Sequence, residues 1–377
     1  GRIRAIARRA LAGLCDGAAL LCETAEQHPA HLVAEAFLDE VHLGVLNELA
    51  FTAGVTAFAV GETVKGNTST ATATVVAVVL ETGAWGSAGA GRLIVTPISG
   101  TFSAGESLRG SSDAYAANRA TNTGAAAQVT LPAGGYYRFI QRNFTGRATG
   151  LKLYGVNGVG RPFEFDGTYL IPLNTGVTTA FPSHLAESKR YLFFGIGASL
   201  LNSSVGNPYR YVSGEGAAET TVGEDITDLI GLPGEALGIF TRNRSLQLVG
   251  SGPSSWQLQP IPEDVGAVEH TVQTVGATLA LDDRGVVSTA ASDRYGNFEQ
   301  ATVSRLVQPL VKRMRGLAVA SCVVRERNLY RVFCSNGFVL SVLPARDSQF
   351  GSLALGFTPT CVWSGEDQDG VERIFAG

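Results

Sequence analysis

Along residues 131–377 the apolar positions come in short runs. Each is closed by a tight turn and most are followed by a second run. The cores are Leu151–Tyr154, Tyr191–Phe194, Leu237–Phe240, Thr278–Leu281 and Leu329–Phe333. Their spacing is irregular, roughly 40 to 50 residues, the blade period of a β-propeller. Three cores run visibly into hairpins: Thr241-Arg242-Asn243-Arg244 leads to Ser245–Val249, Asp282-Asp283-Arg284-Gly285 to Val286–Thr289, and Ser335-Asn336-Gly337 to Phe338–Val342. Asn336-Gly337 is the strongest of these signals, because both residues tolerate the positive φ of a primed turn. The pattern predicts five or six blades, the last incomplete at Gly377. A single twisted β-sandwich is the alternative fold.

Upstream the pattern changes twice. Residues 51–130 are rich in Gly, Ala, Ser and Thr and contain an internal repeat: Phe58-Ala59-Val60-Gly61-Glu62-Thr63-Val64-Lys65-Gly66 returns as Phe102-Ser103-Ala104-Gly105-Glu106-Ser107-Leu108-Arg109-Gly110. An apolar anchor, a Gly turn and an outward Glu and cation fit a short strand after a tight bend. Val75–Leu80 and Arg92–Val95 read as strands between the copies, residues 86–91 as a hairpin loop, and Ala114–Gln128 as a loose linker or edge strand. Residues 1–50 are the helical region: Ile3, Ile6, Ala7, Ala10, Leu11, Leu14 and Ala18 approach helical spacing over Arg2–Leu21, and His31–Leu49 reads as helix or mixed. The expected fold is therefore mainly β. A short helical N-terminal segment (1–50) and a small inserted β-domain (51–130) precede a β-propeller-like body (131–377).

At 45% hydrophobic, the 377-residue chain can bury a full core, and 46 Gly suit many tight turns. A net charge of −4 gives no bulk basic character to grip nucleic acid, although it does not exclude DNA in transit through a channel. The five Cys are odd in number and scattered, which fits buried thiols from a reducing cytoplasm; a Cys322–Cys334 bridge across one hairpin is the alternative. No apolar run reaches the roughly 20 residues of a membrane helix. The chain begins at Gly1 and stops after the strand-like Arg373-Ile374-Phe375, so we expect a longer gene product.

Candidate chemistry is sparse. His28-Pro29-Ala30-His31 has a metal-like spacing without a completing ligand, and His42, His184 and His270 are scattered as packed or surface residues. Glu366-Asp367-Gln368-Asp369-Gly370 lacks the distal Glu of a calcium loop. Asp282-Asp283 suits a turn cap better than a glycosidase pair. Ser292–Phe298 fails the Asp-box pattern in its Asp position and its missing Trp. There is no nucleophile elbow and no phosphate-binding loop motif. The expectation is no catalytic residue, no metal and no cofactor. Candidate partner contacts are the basic cluster Arg2, Arg4, Arg8 and Arg9 and the aromatics Tyr136, Tyr137, Tyr209, Tyr211, Trp256 and Trp363, each weighed against ordinary packing or a solvated face.

Several segments carry a resemblance: Asn143-Phe144-Thr145-Gly146, Leu153-Tyr154-Gly155-Val156-Asn157-Gly158, Phe163-Glu164-Phe165-Asp166-Gly167 and Ser199–Pro208, then Gly216-Ala217-Ala218-Glu219, Leu281–Val286, Tyr295-Gly296-Asn297-Phe298 and Tyr330-Arg331-Val332-Phe333. Over residues 136–377 the chain resembles tailed-bacteriophage virion proteins of the tail hub or nozzle (tail tubular) type. The resemblance implies a homo-oligomeric ring, six-fold, below the portal and adaptor, lining or gating the genome-ejection channel of a tail made in the bacterial host cytoplasm. DNA would be a partner only in transit. Two other functions stay open: a receptor- or glycan-binding tail-tip protein and a propeller glycosidase. Exposed aromatics beside paired carboxylates in the central pocket would favour the glycosidase; a pocket filled by side chains would favour the structural role.

Overall fold

A computed structural model describes residues 46–86, 88–147, 150–232, 234–261, 265–288, 302–344, 348–366 and 371–376. The helical reading of the N-terminal segment, the Arg2/Arg4/Arg8/Arg9 cluster, His28, His31, His42 and Ser292–Phe298 lie outside these residues. Among them the protein is mainly β.

Seven strands build a small barrel: β1 (Asn47–Gly54), β2 (Thr63–Gly66), β3 (Thr72–Thr82), β4 (Gly89–Ser99), β5 (Ser107–Gly110), β6 (Ala120–Asn122) and β7 (Ala127–Gln128). The order β4-β3-β2-β5-β6-β1 closes because β1 also pairs with β4, giving a six-stranded barrel, with β7 added along β1. Closure leaves few unpaired edges in a stretch this rich in Gly and Thr. The sequence repeat is the barrel's internal symmetry. Gly61 (φ 89°) and Gly105 (φ 79°) make equivalent bends, Phe58 and Phe102 enter the core beside Val64 and Leu108, and β2 pairs antiparallel with β5 through Lys65↔Arg109.

Four expectations are corrected here. Glu62 and Glu106 point inward, not outward, at 8% and 5% exposure. Glu106 accepts from the backbone N–H groups of Thr68 and Ser69, and Glu62 from that of Ser112, so each caps the loop that follows the other copy. Of the two readings of Ala114–Gln128 the edge strand holds and the loose linker does not: the stretch supplies β6 inside the sheet and β7 at its edge, strands too short and too poor in apolar residues to show a period. Asn47–Leu49 begin β1 rather than ending a helix, with Leu49 in the barrel core. The turn joining β3 to β4 comes earlier than the expected 86–91 loop: Gly89, Ala90 and Gly91 already pair within β4.

The body is a β-propeller of five blades. Blade 1 holds β8 (Arg138–Asn143), β9 (Leu151–Val156), β10 (Phe163–Phe165) and β11 (Leu170–Pro172). Blade 2 holds β12 (His184–Ser188), β13 (Tyr191–Ile196), β14 (Ser199–Asn202) and β15 (Ala218–Thr221). Blade 3 holds β16 (Ile226–Gly231), β17 (Leu237–Thr241), β18 (Ser245–Val249) and β19 (Gln257–Ile261). Blade 4 holds β20 (Gln273–Val275), β21 (Ala277–Asp282) and β22 (Gly285–Ser288), with helix α1 (Gln308–Met314) packed on β22. Blade 5 holds β23 (Ala318–Val324), β24 (Leu329–Cys334), β25 (Phe338–Leu343) and β26 (Gln349–Ala354). A further hairpin, β27 (Val362–Glu366) and β28 (Glu372–Ala376), packs on β23.

The five apolar cores of the sequence are the second strands β9, β13, β17, β21 and β24. Such a strand is paired on both edges and covered on both faces by adjoining blades, so it reads as a continuous apolar run instead of an alternation. Phe144, Tyr154 and Val156 meet Leu185, Leu192 and Phe194 between blades 1 and 2. Tyr191 and Phe193 meet Leu229, Leu237 and Ile239 between blades 2 and 3. Leu279 and Leu281 meet Tyr330 and Val332 between blades 4 and 5, with Val311 and Met314 of α1. Cys322 and Cys334 are free buried thiols. Cys322 lies opposite Arg331 and Cys334 opposite Ala318, so the hairpin does not bring them together.

The barrel is seated on blade 1. Leu46, Val79, Ile94 and Val129 share one core with Leu153, Phe163, Phe165, Leu170 and Ile171. Beside it Arg92, buried on β4, donates to Glu48 (2.7 Å), Glu81 (2.7 Å) and the Pro172 carbonyl (2.9 Å), and Arg161 closes on Glu48 at 2.9 Å. Arg210 adds a bond to the Gly83 carbonyl (2.8 Å).

Candidate functional site

The first strands of all five blades, with Val362 and Ser364 of β27, surround a central cavity of about 380 Å³. Its charged lining is Arg138 and Arg142 from β8, Glu187 from β12, and Arg325 at the end of β23. Glu187, the one carboxylate among the described lining residues, is held by Arg142 at 2.9 Å. A second cleft, about 590 Å³, is lined by Tyr136, Glu269, His270, Arg242 and Arg315 among others.

Between the two stands a group of ionisable side chains from blades 1, 2 and 3 and the turn entering blade 4. Arg138 opens β8 and reaches Asp228 of β16 at 2.7 Å; the Asp228 side chain is fully buried. Asp228 sits where β16 bulges against β17, and it also accepts from the N–H groups of Leu229 (2.8 Å) and Val272 (3.3 Å). These bonds satisfy a charge that would otherwise be prohibitive in the interior. Burial nonetheless pushes its carboxyl above the usual range, against the pull of Arg138. Arg138 also comes within 3.4 Å of His270 Nδ1.

His270 belongs to the turn entering blade 4 and has φ +60°. Tyr136, in the chain leading from the barrel to blade 1, stacks on its ring at 3.7 Å between centroids. His184, the first residue of β12, is buried with its ring 5.5 Å from that of His270. Ser183 Oγ lies 2.8 Å from His184 Nδ1, and His184 Nε2 has no hydrogen-bond partner. Glu269 Oε1 is 3.7 Å from Nε2 of both imidazoles. Burial, reinforced by Arg138, depresses the ring pKa of His184 to about 2 and that of His270 to about 3, so both rings are neutral at ordinary pH. Burial raises the half-exposed Glu269. The arrangement presents two neutral imidazoles and a carboxylate to one another, a set able to hold a cation.

Sequence reasoning kept His184 and His270 apart as scattered residues. Their meeting depends on blade closure, which local spacing does not encode; the Glu269-His270 pair in a turn was the available hint. The sequence-predicted aromatics are dispersed. Tyr136 joins this cluster. Tyr137 stacks on Phe139 and its hydroxyl accepts from Asn157. Tyr209 donates to Glu164 at 2.6 Å, Tyr211 stacks on Phe194, and Trp256 packs edge-on against Tyr191. Trp363 lies on β27, paired with Phe375 of β28. Asp282 and Asp283 lie at the β21–β22 turn, where Asp282 accepts from Arg284 at 3.3 Å and Asp283 accepts from Arg242.

No protein-family model matches the chain, and no curated protein sequence matches it. Solved structures match it at low similarity. BBS1N in complex with ARL6DN, soaked with lead, is 14% identical over 64% of this chain and 75% of that one, with a TM-score of 0.42. Sqt1 from Chaetomium thermophilum is 12% identical over 61% and 63%, with a TM-score of 0.35. The extracellular domain of the putative one component system BT4673 from B. thetaiotaomicron is 11% identical over 74% and 37%, with a TM-score of 0.30. The class of protein, a five-bladed β-propeller carrying a small β-barrel, rests on the strand topology itself.

Proposed function

We propose that the chain is a structural component of a bacteriophage tail, in the hub or nozzle ring, assembling with copies of itself around the genome-ejection path. The observation that supports this reading best is the seam between barrel and blade 1. A shared apolar core and the Arg92 network join two domains into one stiff body, as a part under mechanical load requires. The sequence resemblance over residues 136–377 supplies the tail assignment, a six-fold ring and the portal and adaptor as neighbours. The central cavity is open and not filled by side chains as the structural role would favour, but its carboxylate is ion-paired and its other charged groups are arginines, a lining unlike the carboxylate pair of a glycosidase. A cavity of about 380 Å³ passes no duplex, so in this reading the genome path runs between subunits.

The test is the oligomeric mass of the purified protein with negative-stain images. A closed ring with an axial opening is the expected outcome. A stable monomer that binds or cleaves a polysaccharide overturns the reading in favour of a tail-tip receptor protein or a glycosidase.

A further inference from the structure

We infer that His184, Glu269 and His270 form a binding site for a divalent transition-metal ion of the zinc type, pinning blade 2 to the turn that enters blade 4. Their ligand atoms all lie within 4.8 Å of one another. Two imidazole nitrogens and one carboxylate oxygen form a common donor set for zinc, which leaves a further coordination position for water from the adjoining cleft.

A cluster alone would not carry this, and His184 supplies the independent observation. Its side chain is 1% exposed, yet Nε2 has no hydrogen-bond partner and faces Glu269. Such an orphaned buried nitrogen needs a reason. Ser183 Oγ at Nδ1 is compatible with one: in the tautomer that donates Nδ1–H to Ser183, Nε2 keeps a bare lone pair. A metal-bound histidine is supported in this way, through its other nitrogen.

Arg138 sets the limits of the site. Its charge is opposed by Asp228 and by Glu269. Its guanidinium also faces His270 Nδ1 at 3.4 Å. Coordination through Nε2 moves the His270 proton to Nδ1, so this contact opens while the Arg138–Asp228 pair is kept. Binding is therefore weaker than at a site built on thiolates. The inference is independent of the tail assignment.

The test uses the full chain, stripped with a chelator and titrated with Co²⁺ and with Zn²⁺. The visible absorption of bound Co²⁺ reports donor type and geometry. One ion per chain is expected, with no thiolate-to-cobalt band. Glu269→Gln keeps a half-exposed position polar and should leave the folded spectrum unchanged; it and His270→Gln should each weaken binding about tenfold or more. His28→Ala/His31→Ala should leave binding intact. The inference is overturned by no uptake at millimolar Co²⁺, by uptake indifferent to Glu269→Gln, by loss of uptake in the His28/His31 variant, or by a thiolate band, which would point to the exposed Cys361.

Discussion

Gly66 lies against the carboxylate of Glu106, where an added Cβ would stand 2.5 Å from both oxygens. Gly110 stands in the same relation to Glu62, at 2.6 Å. The Gly that ends each copy of the repeat is there to admit the Glu of the other. Glu106 cannot swing aside cheaply, because Thr68, Ser69 and Ser103 all hold it. Gly66→Ala should destabilise the barrel by about 1–3 kcal/mol, with Gly110→Ala similar, read from denaturant midpoints at unchanged slope.

The same carboxylate makes barrel stability depend on pH. Burial opposes the Glu106 charge, but hydrogen bonds from Ser69, Ser103 and Thr68 outweigh it and hold the pKa below its usual value of 4.5. A lowered folded pKa means that the unfolded chain binds the proton first. The contribution is complete above the ordinary carboxylate range and is lost as pH falls through the folded value. Glu106→Gln should be less stable at neutral pH and should show a flatter acid limb in melts taken across that range.

Asp228→Asn removes the counter-charge of Arg138 at the centre of the propeller. A buried pair broken on one side costs about 3–5 kcal/mol, most of it from the charge left behind. Replacing both partners together, Arg138→Met with Asp228→Leu, should recover part of that loss. A double-mutant cycle by chemical denaturation measures the coupling.

Blade cores and blade rims should respond very differently. Phe194→Ala empties a fully buried position shared by blades 1 and 2, at a cost of about 3–5 kcal/mol. Leu353→Ala, on the outer strand β26 at 48% exposure, should change stability by less than about 0.5 kcal/mol. Hydrogen exchange should rank the strands likewise, with β13 and β17 slowest and β26 fast.

At the seam, Arg92→Ala strands the carboxylate of Glu81 and the carbonyl of Pro172, while Glu48 keeps Arg161. A loss of about 3 kcal/mol is expected. The diagnostic sign is a thermal transition that splits in two as the barrel melts apart from the propeller, seen by calorimetry.

Much of this architecture was legible because it follows from local burial. Strands covered on both faces, such as Tyr191–Ile196, announce themselves as apolar runs. Outer strands such as Ala218–Thr221, with alternate residues exposed, do not. The repeat was visible, yet its Glu residues read as outward, because the loops they cap belong to the opposite copy and lie 37 or more residues away. The meeting of His184 with His270 was hidden for the same reason: it is made by ring closure rather than by spacing. Tyr209 and Trp256 looked like contact residues, and nothing in their neighbours along the chain announced Glu164 or Tyr191 as their partners.

Because Arg92 locks β1 and β4 of the barrel to the last strand of blade 1, the barrel has no swivel. It is a handle fixed at one azimuth on the propeller's rim. Whatever grips the handle also sets the tilt and rotation of the propeller axis, so a single point of attachment determines the orientation of the whole body.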